Sequence, residues 1–217
     1  MKEKRIYMDN AATTPVADKV AEAMLPYFSE HFGNASSIHK EGQDARRTID
    51  DIRRKVAKFL NAREEEIIFT GSGTESNNTV IKGLAMSELA KHKKHIITTK
   101  IEHHSVLEPC EFLEKQGFKV TYLNVDSNGL IDLKELEKAI IPETLLVSVM
   151  HANNEIGTIQ DIPAIGKICG KRGVLFHTDA VQAAGFLDLK VNALNIDMMS
   201  LSAHKIYGPK GVGILYI

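Results

Sequence analysis

The sequence predicts an α/β protein of three layers, α/β/α, built on a mostly parallel sheet. Three observations predict it. From Ile67 onward, short apolar runs recur along the chain. Helical periodicities separate most of them, near 75–91, 105–116, 132–140 and 161–171. The runs are apolar throughout instead of alternating, as strands covered on both faces are. The 217 residues are 43% hydrophobic, enough for one large domain with a sizeable core.

In order, residues 6–8 form a short apolar entry. Asp9-Asn10-Ala11-Ala12-Thr13-Thr14-Pro15 is a polar loop closed by a proline that can begin a helix. Val16, Val20, Ala23, Met24 and Tyr27 have helical spacing across 16–31, with Pro26 bending or ending the helix. A second loop, Gly33 to His39, precedes an amphipathic helix over 43–61 that carries Ala45, Ile49, Ile52, Val56 and Leu60 on one stripe. Strands are expected at 67–70, 95–99, 119–125, 145–150, 174–178, 196–201 and 212–217. We expect residues 1–15 to be an arm and loop, and 16–217 the main domain.

Composition narrows the function. Lys and Arg total 27 against 28 Asp and Glu, a formal net charge of −1. There is no basic excess for nucleic acid and no polybasic run for a membrane surface. No apolar stretch approaches the roughly 20 residues that span a bilayer. The start, Met1-Lys2-Glu3-Lys4-Arg5, lacks the apolar core of a signal peptide. Cys110 and Cys169 provide neither a disulfide framework nor zinc spacing. The expectation is a cytoplasmic protein.

In parallel α/β sheets, ligands sit beyond the carboxyl ends of the strands. Five expected strands end there in polar or titratable residues. These ends are Thr70 to Asn77, Glu102-His103-His104, His151 to Glu155, His177-Thr178-Asp179 with Gln182, and Ser202 with His204 and Lys205. Lys205 at the mouth of a buried strand is costly to desolvate; burial lowers a lysine's pKa and makes its amine a nucleophile for carbonyls. Lys210, flanked by glycines, reads as a surface turn. Gly71-Ser72-Gly73-Thr74 leads a strand into a helix whose first N–H groups suit a phosphate. The same residues also suit a plain turn with Thr74 as cap, and no lysine follows to make a nucleotide loop. Asp179 needs a cationic partner, such as a protonated pyridine nitrogen, or else caps a short helix at 180–184. His103 can stack on a ring or move protons, and His104 matches it on spacing alone. No third ligand at metal spacing accompanies them, so no metal site is expected. His92, His95, His151 and His177 read as surface or satisfied core histidines. Asn153 and Asn154 suit a ring oxygen, a substrate carboxylate or a turn. Gln182 shares a face with Asp179.

Several stretches together resemble the NifS/IscS-type cysteine desulfurases, in the class-V aminotransferase group of fold-type-I pyridoxal-phosphate (PLP) enzymes. They are Met8 to Pro15, Gly33 to His39, Phe69 to Asn78, Glu102-His103, His151 to Gln160, His177 to Gln182 and Ser202 to Gly211. They follow the family's order through the chain, except that Ala35 stands where the family usually has proline. The resemblance implies the large domain of a fold-type-I enzyme that converts L-cysteine to L-alanine and a protein persulfide. It implies that Lys205 bonds PLP as a Schiff base and moves protons, that Asp179 pairs with the pyridine nitrogen, and that His103 stacks on the ring. Asn154 and Gln182 then meet the ring oxygen, Asn154 and Asn10 the substrate, and Gly73, Thr74, Ser202 and His204 the phosphate. A homodimer and a sulfur-acceptor or iron–sulfur scaffold protein are the implied partners.

The family continues past the lysine into a small domain with a catalytic loop cysteine and a substrate-binding arginine. Neither Cys110 nor Cys169 matches that cysteine, and both fall in expected helices, Cys110 in a first turn. Two further readings follow: another class-V enzyme, such as a selenocysteine lyase or an aminotransferase, or a non-catalytic PLP-binding or scaffold fragment.

Overall fold

The computed structural model describes residues 6–217. The start read above as no signal peptide, residues 1–5, lies outside the described residues. After an extended arm come α1 (Asp18–Met24) and α2 (Pro26–Ser29), divided where Pro26 opens the second helix. Then follow α3 (Lys40–Leu60), β1 (Ile67–Thr70), α4 (Gly73–Ala85), β2 (His95–Thr99), α5 (His104–Lys115) and β3 (Lys119–Leu123). The chain continues through α6 (Leu133–Ala139), β4 (Thr144–Ser148), α7 (Ile162–Arg172), β5 (Leu175–Asp179), α8 (Val191–Leu194), β6 (Met198–Ser202) and β7 (Gly213–Tyr216).

The seven strands form one sheet in the order β1-β7-β6-β5-β4-β2-β3. All neighbours run parallel except β7, which is antiparallel to both β1 and β6. The five polar strand ends therefore emerge along one edge, with β5 in the middle. Successive residues in a strand point to opposite faces, so each central strand feeds two cores. Ile97, Val147 and Met199 pack with the end of α3 and with α6, α7 and α8. Ile96, Leu146 and Met198 pack with α4 and α5. This is the expected three-layer arrangement, with the sheet as the middle layer.

Local chemistry fixes the helix ends. Asp161 caps α7 by accepting from Ala164 N at 3.1 Å, and Gly173 closes it with φ 64°. Asn61 closes α3 in the left-handed region with φ 54°.

Several expectations are corrected. The helix expected over 43–61 begins at Lys40. Its stripe is not a continuous core face, because Ile49 and Ile52 are exposed and the helix meets the core through Ala57 and Leu60. The residues expected as a short helix at 180–184 form consecutive turns, while α8 has four residues and too little periodicity to be read in advance. Cys110 lies in the second turn of α5, which continues through Pro109. Both cysteines are fully buried, and burial pushes each thiol up to about 12.

Two buried histidines tie strands together. His95 on β2 bonds Thr144 at 2.9 Å and Thr121 at 2.8 Å on the two flanking strands. His177 on β5 lies between Ser148 at 2.9 Å and Ser200 at 3.0 Å. Burial lowers His177 from 6.5 to about 3. Below about pH 6.5 an unfolded His177 takes up a proton that the folded one refuses, so stability falls as pH drops toward 3, by up to about 1.4 kcal/mol per unit. Replacing His177→Gln removes this loss. Urea unfolding should show the wild-type advantage over the variant shrinking by about 2 kcal/mol between about pH 7 and about pH 5. A gap that stays constant contradicts it.

Candidate active site

At the polar edge of the sheet lies a cavity of about 460 Å³. Each of the five strand ends supplies lining residues, Asn154 among them, and Asp9, Ala11 and Ala12 of the arm close one side.

The first turn of α4 follows from its sequence. Ser72 is the N-cap, accepting from Glu75 N at 3.1 Å, in place of the Thr74 cap expected from the sequence. Glu75 reaches back to Gly71 N at 2.7 Å. Ser76 N bonds Ser72 O at 3.1 Å. The helix is thus left with the N–H groups of Gly73 and Thr74 to offer a ligand. A β-carbon at Gly73 would lie 2.7 Å from Val181 and 3.4 Å from Ser202, so only glycine lets the helix start sit this close. β7 approaches from the other side through a second glycine, since a β-carbon at Gly213 would lie 2.5 Å from the Ser72 backbone. Ser202 is buried, lines the cavity, and its hydroxyl has no hydrogen-bond partner among the described residues.

Asp179 terminates the middle strand and is 5% exposed. Burial raises its pKa; the Val181 N–H at 3.0 Å, the Asn77 amide at 2.7 Å and the charges of His103 and Lys205 oppose the rise. Asn77 gives its other amide hydrogen to Ser105 Oγ at 2.8 Å, and Ser105 Oγ meets His103 Nδ1 at 2.8 Å. His103 is the N-cap of α5, its Nδ1 accepting from Ser105 N at 3.1 Å. When the ring is neutral, these two contacts to Nδ1 put its proton on Nε2. The sequence reading placed Asn77 at a strand end without giving it a role, and left Ser105 out. The available signal was a polar pair, Ser76-Asn77, on a helix face that continues into Val80 and Ile81.

Lys205 lies in the turn after β6. Its amine donates to the carbonyls of Ala11 and Ala12, the latter at 2.9 Å. Burial lowers its pKa, with Asp179 and Asp9 acting against that. Gln182 also reaches Ala11 O, at 2.8 Å, and His204 meets Thr13 Oγ1 at 3.1 Å. Burial lowers His204, and the charges of Lys205 and Lys210 add to this.

Of the expected residues, Gly73, Thr74, His103, Asn154, Asp179, Gln182, Ser202, His204 and Lys205 all line the cavity. Asn10 does not: it is exposed, and its neighbours Asp9 and Ala11 line the space instead. His104 lines an adjoining cavity with Lys82 and Glu108. Asn153 is a turn residue, accepting from Glu155 N at 2.8 Å and Ile156 N at 3.0 Å and donating to Ile101 O at 2.8 Å. Lys210 is exposed on its turn. His151 is buried but not satisfied, its Nδ1 lacking a partner among the described residues.

A lysine and a carboxylate thus share one cavity beside a helix N-terminus, at the carboxyl edge of a mostly parallel sheet, where α/β proteins place their ligands. The chain belongs to the class-V aminotransferase family, whose match extends over residues 6–217. It is 54% identical over 215 residues to the cysteine desulfurase IscS of Dictyoglomus turgidum, covering 99% of this chain and 54% of the relative. Its identity to the IscS of Methanosarcina thermophila is 55% over 214 residues, covering 99% and 53%. The solved structure of SspA in complex with cysteine matches with a TM-score of 0.95 at 48% identity, over 98% of this chain and 61% of that one. A NifS-like protein matches at 0.96 and 46%, over 99% and 59%. The chain spans about half the length of the curated relatives it matches.

Glu102, next to His103, is buried. Its Oε1 accepts from Thr99 Oγ1 at 2.8 Å and Met150 N at 2.9 Å, joining the ends of β2 and β4, while Oε2 has no partner among the described residues. Burial raises it from 4.5 to about 8, and the charge of Asp179 adds to this. Its contribution to stability is complete below about 4.5 and is lost as pH rises toward 8. Glu102→Gln keeps the acceptor and never ionises. Between about pH 5 and about pH 8, urea unfolding should show the variant gaining on wild type by up to about 1.4 kcal/mol per pH unit. A pH-independent difference contradicts a neutral Glu102.

Proposed function

We propose that residues 16–217 form the PLP-binding domain of a cysteine desulfurase, with residues 6–15 as an arm across its cavity. The substrate in this reading is L-cysteine, the products L-alanine and enzyme-bound sulfur. The observation that carries it is the pairing, in one cavity, of the buried Asp179 carboxylate with an amine, Lys205, whose pKa burial lowers. Class-V aminotransferases and cysteine desulfurases use PLP.

The residues present suit that group. Asp179 is a buried anion whose near partners are N–H donors, so a protonated pyridine nitrogen meets its need for a cation. The Ser202 hydroxyl, lacking a partner, and the free N–H groups of Gly73 and Thr74 suit a phosphate. His204 completes that end of the cavity. His103, Gln182 and Asn154 also line the cavity; in this reading His103 would cover the ring, Gln182 and Asn154 would serve its oxygen side, and Asn154 would also meet substrate. When bound, PLP supplies an electron sink and a carbonyl for amines. The chain's part is to bind, orient and move protons. Lys205 is half-buried, and that partial loss of water lowers the pKa of its Nζ, the direction that a nucleophile and a base require. Asn77 holds the Asp179 carboxylate in place, and the Ser105 hydroxyl holds the ring of His103.

Both thiols are fully buried and raised to about 12, so neither provides the reactive thiolate that takes sulfur from the substrate. Two reduced, buried cysteines accord with a cytoplasmic setting. A homodimer and a sulfur-acceptor or iron–sulfur scaffold protein complete the proposal.

The test is borohydride reduction of the chain in the presence of PLP, followed by peptide mapping. One pyridoxyl group should appear on Lys205 and be absent after Lys205→Ala. Modification of Lys210, or an unchanged yield in Lys205→Ala, contradicts the proposal.

A further inference from the structure

Among described residues 6–41, Thr14 alone is buried; the rest of the arm, α1 and α2 are exposed or half-buried. Thr14 is 4% exposed and spends its polar atoms on the turn that carries Lys205. Its N–H and its hydroxyl both donate to His204 O, at 2.9 Å and 3.0 Å. The same hydroxyl oxygen accepts from Tyr207 N at 2.8 Å. These bonds hold a conformation the turn does not favour by itself, because Tyr207 sits at φ 61°, in the left-handed region that suits glycine. Ala17 N adds a bond to Tyr207 O at 2.9 Å, and His204 Nδ1 meets Thr13 Oγ1 at 3.1 Å. The segment so anchored is the one whose Ala11 and Ala12 carbonyls receive the Lys205 amine.

We propose that Thr14 is a positioning residue for Lys205. Its hydroxyl clamps the 203–207 turn, and the strap it anchors supplies the carbonyls on which the free amine rests. The proposal rests on the reading of Lys205 as the residue that bonds the cofactor. Thr14 touches neither the amine nor the cavity and acts through the backbone of His204 and Tyr207. A hydroxyl is required because one oxygen must donate to a carbonyl and accept from an N–H at once. Serine keeps that capacity; valine keeps the shape and loses it.

The test compares wild type, Thr14→Val and Thr14→Ser by two measurements. The first is amide hydrogen exchange at Tyr207, which needs no cofactor. In wild type this amide should be protected although Ile206 and Tyr207 are exposed. Thr14→Val should exchange roughly tenfold faster there or more, the loss of about one buried hydrogen bond, with amides of the central strands unchanged. The second is the rate at which borohydride-stable pyridoxyl accumulates on Lys205, expected to fall severalfold in Thr14→Val. Thr14→Ser should restore both. An unprotected Tyr207 amide in wild type overturns the clamp whether or not the valine variant folds. So does a valine variant that exchanges and traps like wild type, or a serine variant as impaired as valine. If wild type traps nothing on Lys205, the cofactor reading fails, and the exchange comparison alone decides the clamp.

Discussion

A carboxylate placed at the end of the middle strand of a covered sheet loses its water, and the surrounding structure must answer for it. Asp179 is that group, and an ionised carboxyl there costs several kcal/mol unless other groups compensate. The chain answers in part. The N–H of Val181 and the amide of Asn77 hold the two oxygens, and the charges of His103 and Lys205 act from further off. Among the described residues no cation is in contact with this carboxylate, and a pyridinium nitrogen would supply one. Asn77 commits α4 to this task, and its second hydrogen passes the constraint through Ser105 to His103. One buried charge thus orders residues from three strand ends.

The other end of the site depends on close backbone approaches. Gly73 lets α4 begin against Val181 and Ser202, and Gly213 lets the antiparallel β7 pass beside Ser72. Together they set the start of α4 next to the end of β6, where the unpartnered Ser202 hydroxyl lies. The arm then crosses the front. Its bonds to the lysine turn join residues 190 or more apart in sequence, so the mouth of the cavity forms only when the fold is complete.

Much of this was legible in the sequence. Continuous apolar strands announced a sheet buried on both faces, and polar residues following five of them marked the edge where a site lies. The positions of Asp179, Lys205, Ser202 and Gly73 could be read because each stands at a strand or helix terminus or in the turn that follows one. What could not be read depends on distance or orientation. Asn77 sits inside a helix and looks like any surface amide until the helix is docked. The partner of Thr14 lies at the far end of the chain. The stripe on α3 had the right period, yet period alone does not say how much of a helix face is covered, and Ile49 and Ile52 remain exposed. Asn10 was assigned by its place in a motif, whereas the backbone turns its neighbours toward the cavity.

In the proposed reading, Asp179 is buried to hold a pyridinium. The most direct measurement is the ¹⁵N chemical shift of the pyridine nitrogen of labelled PLP bound to the chain. A protonated nitrogen is expected in wild type and a neutral one in Asp179→Asn, with the cofactor still attached at Lys205 in both. A nitrogen equally protonated in both, or neutral in wild type, would contradict it.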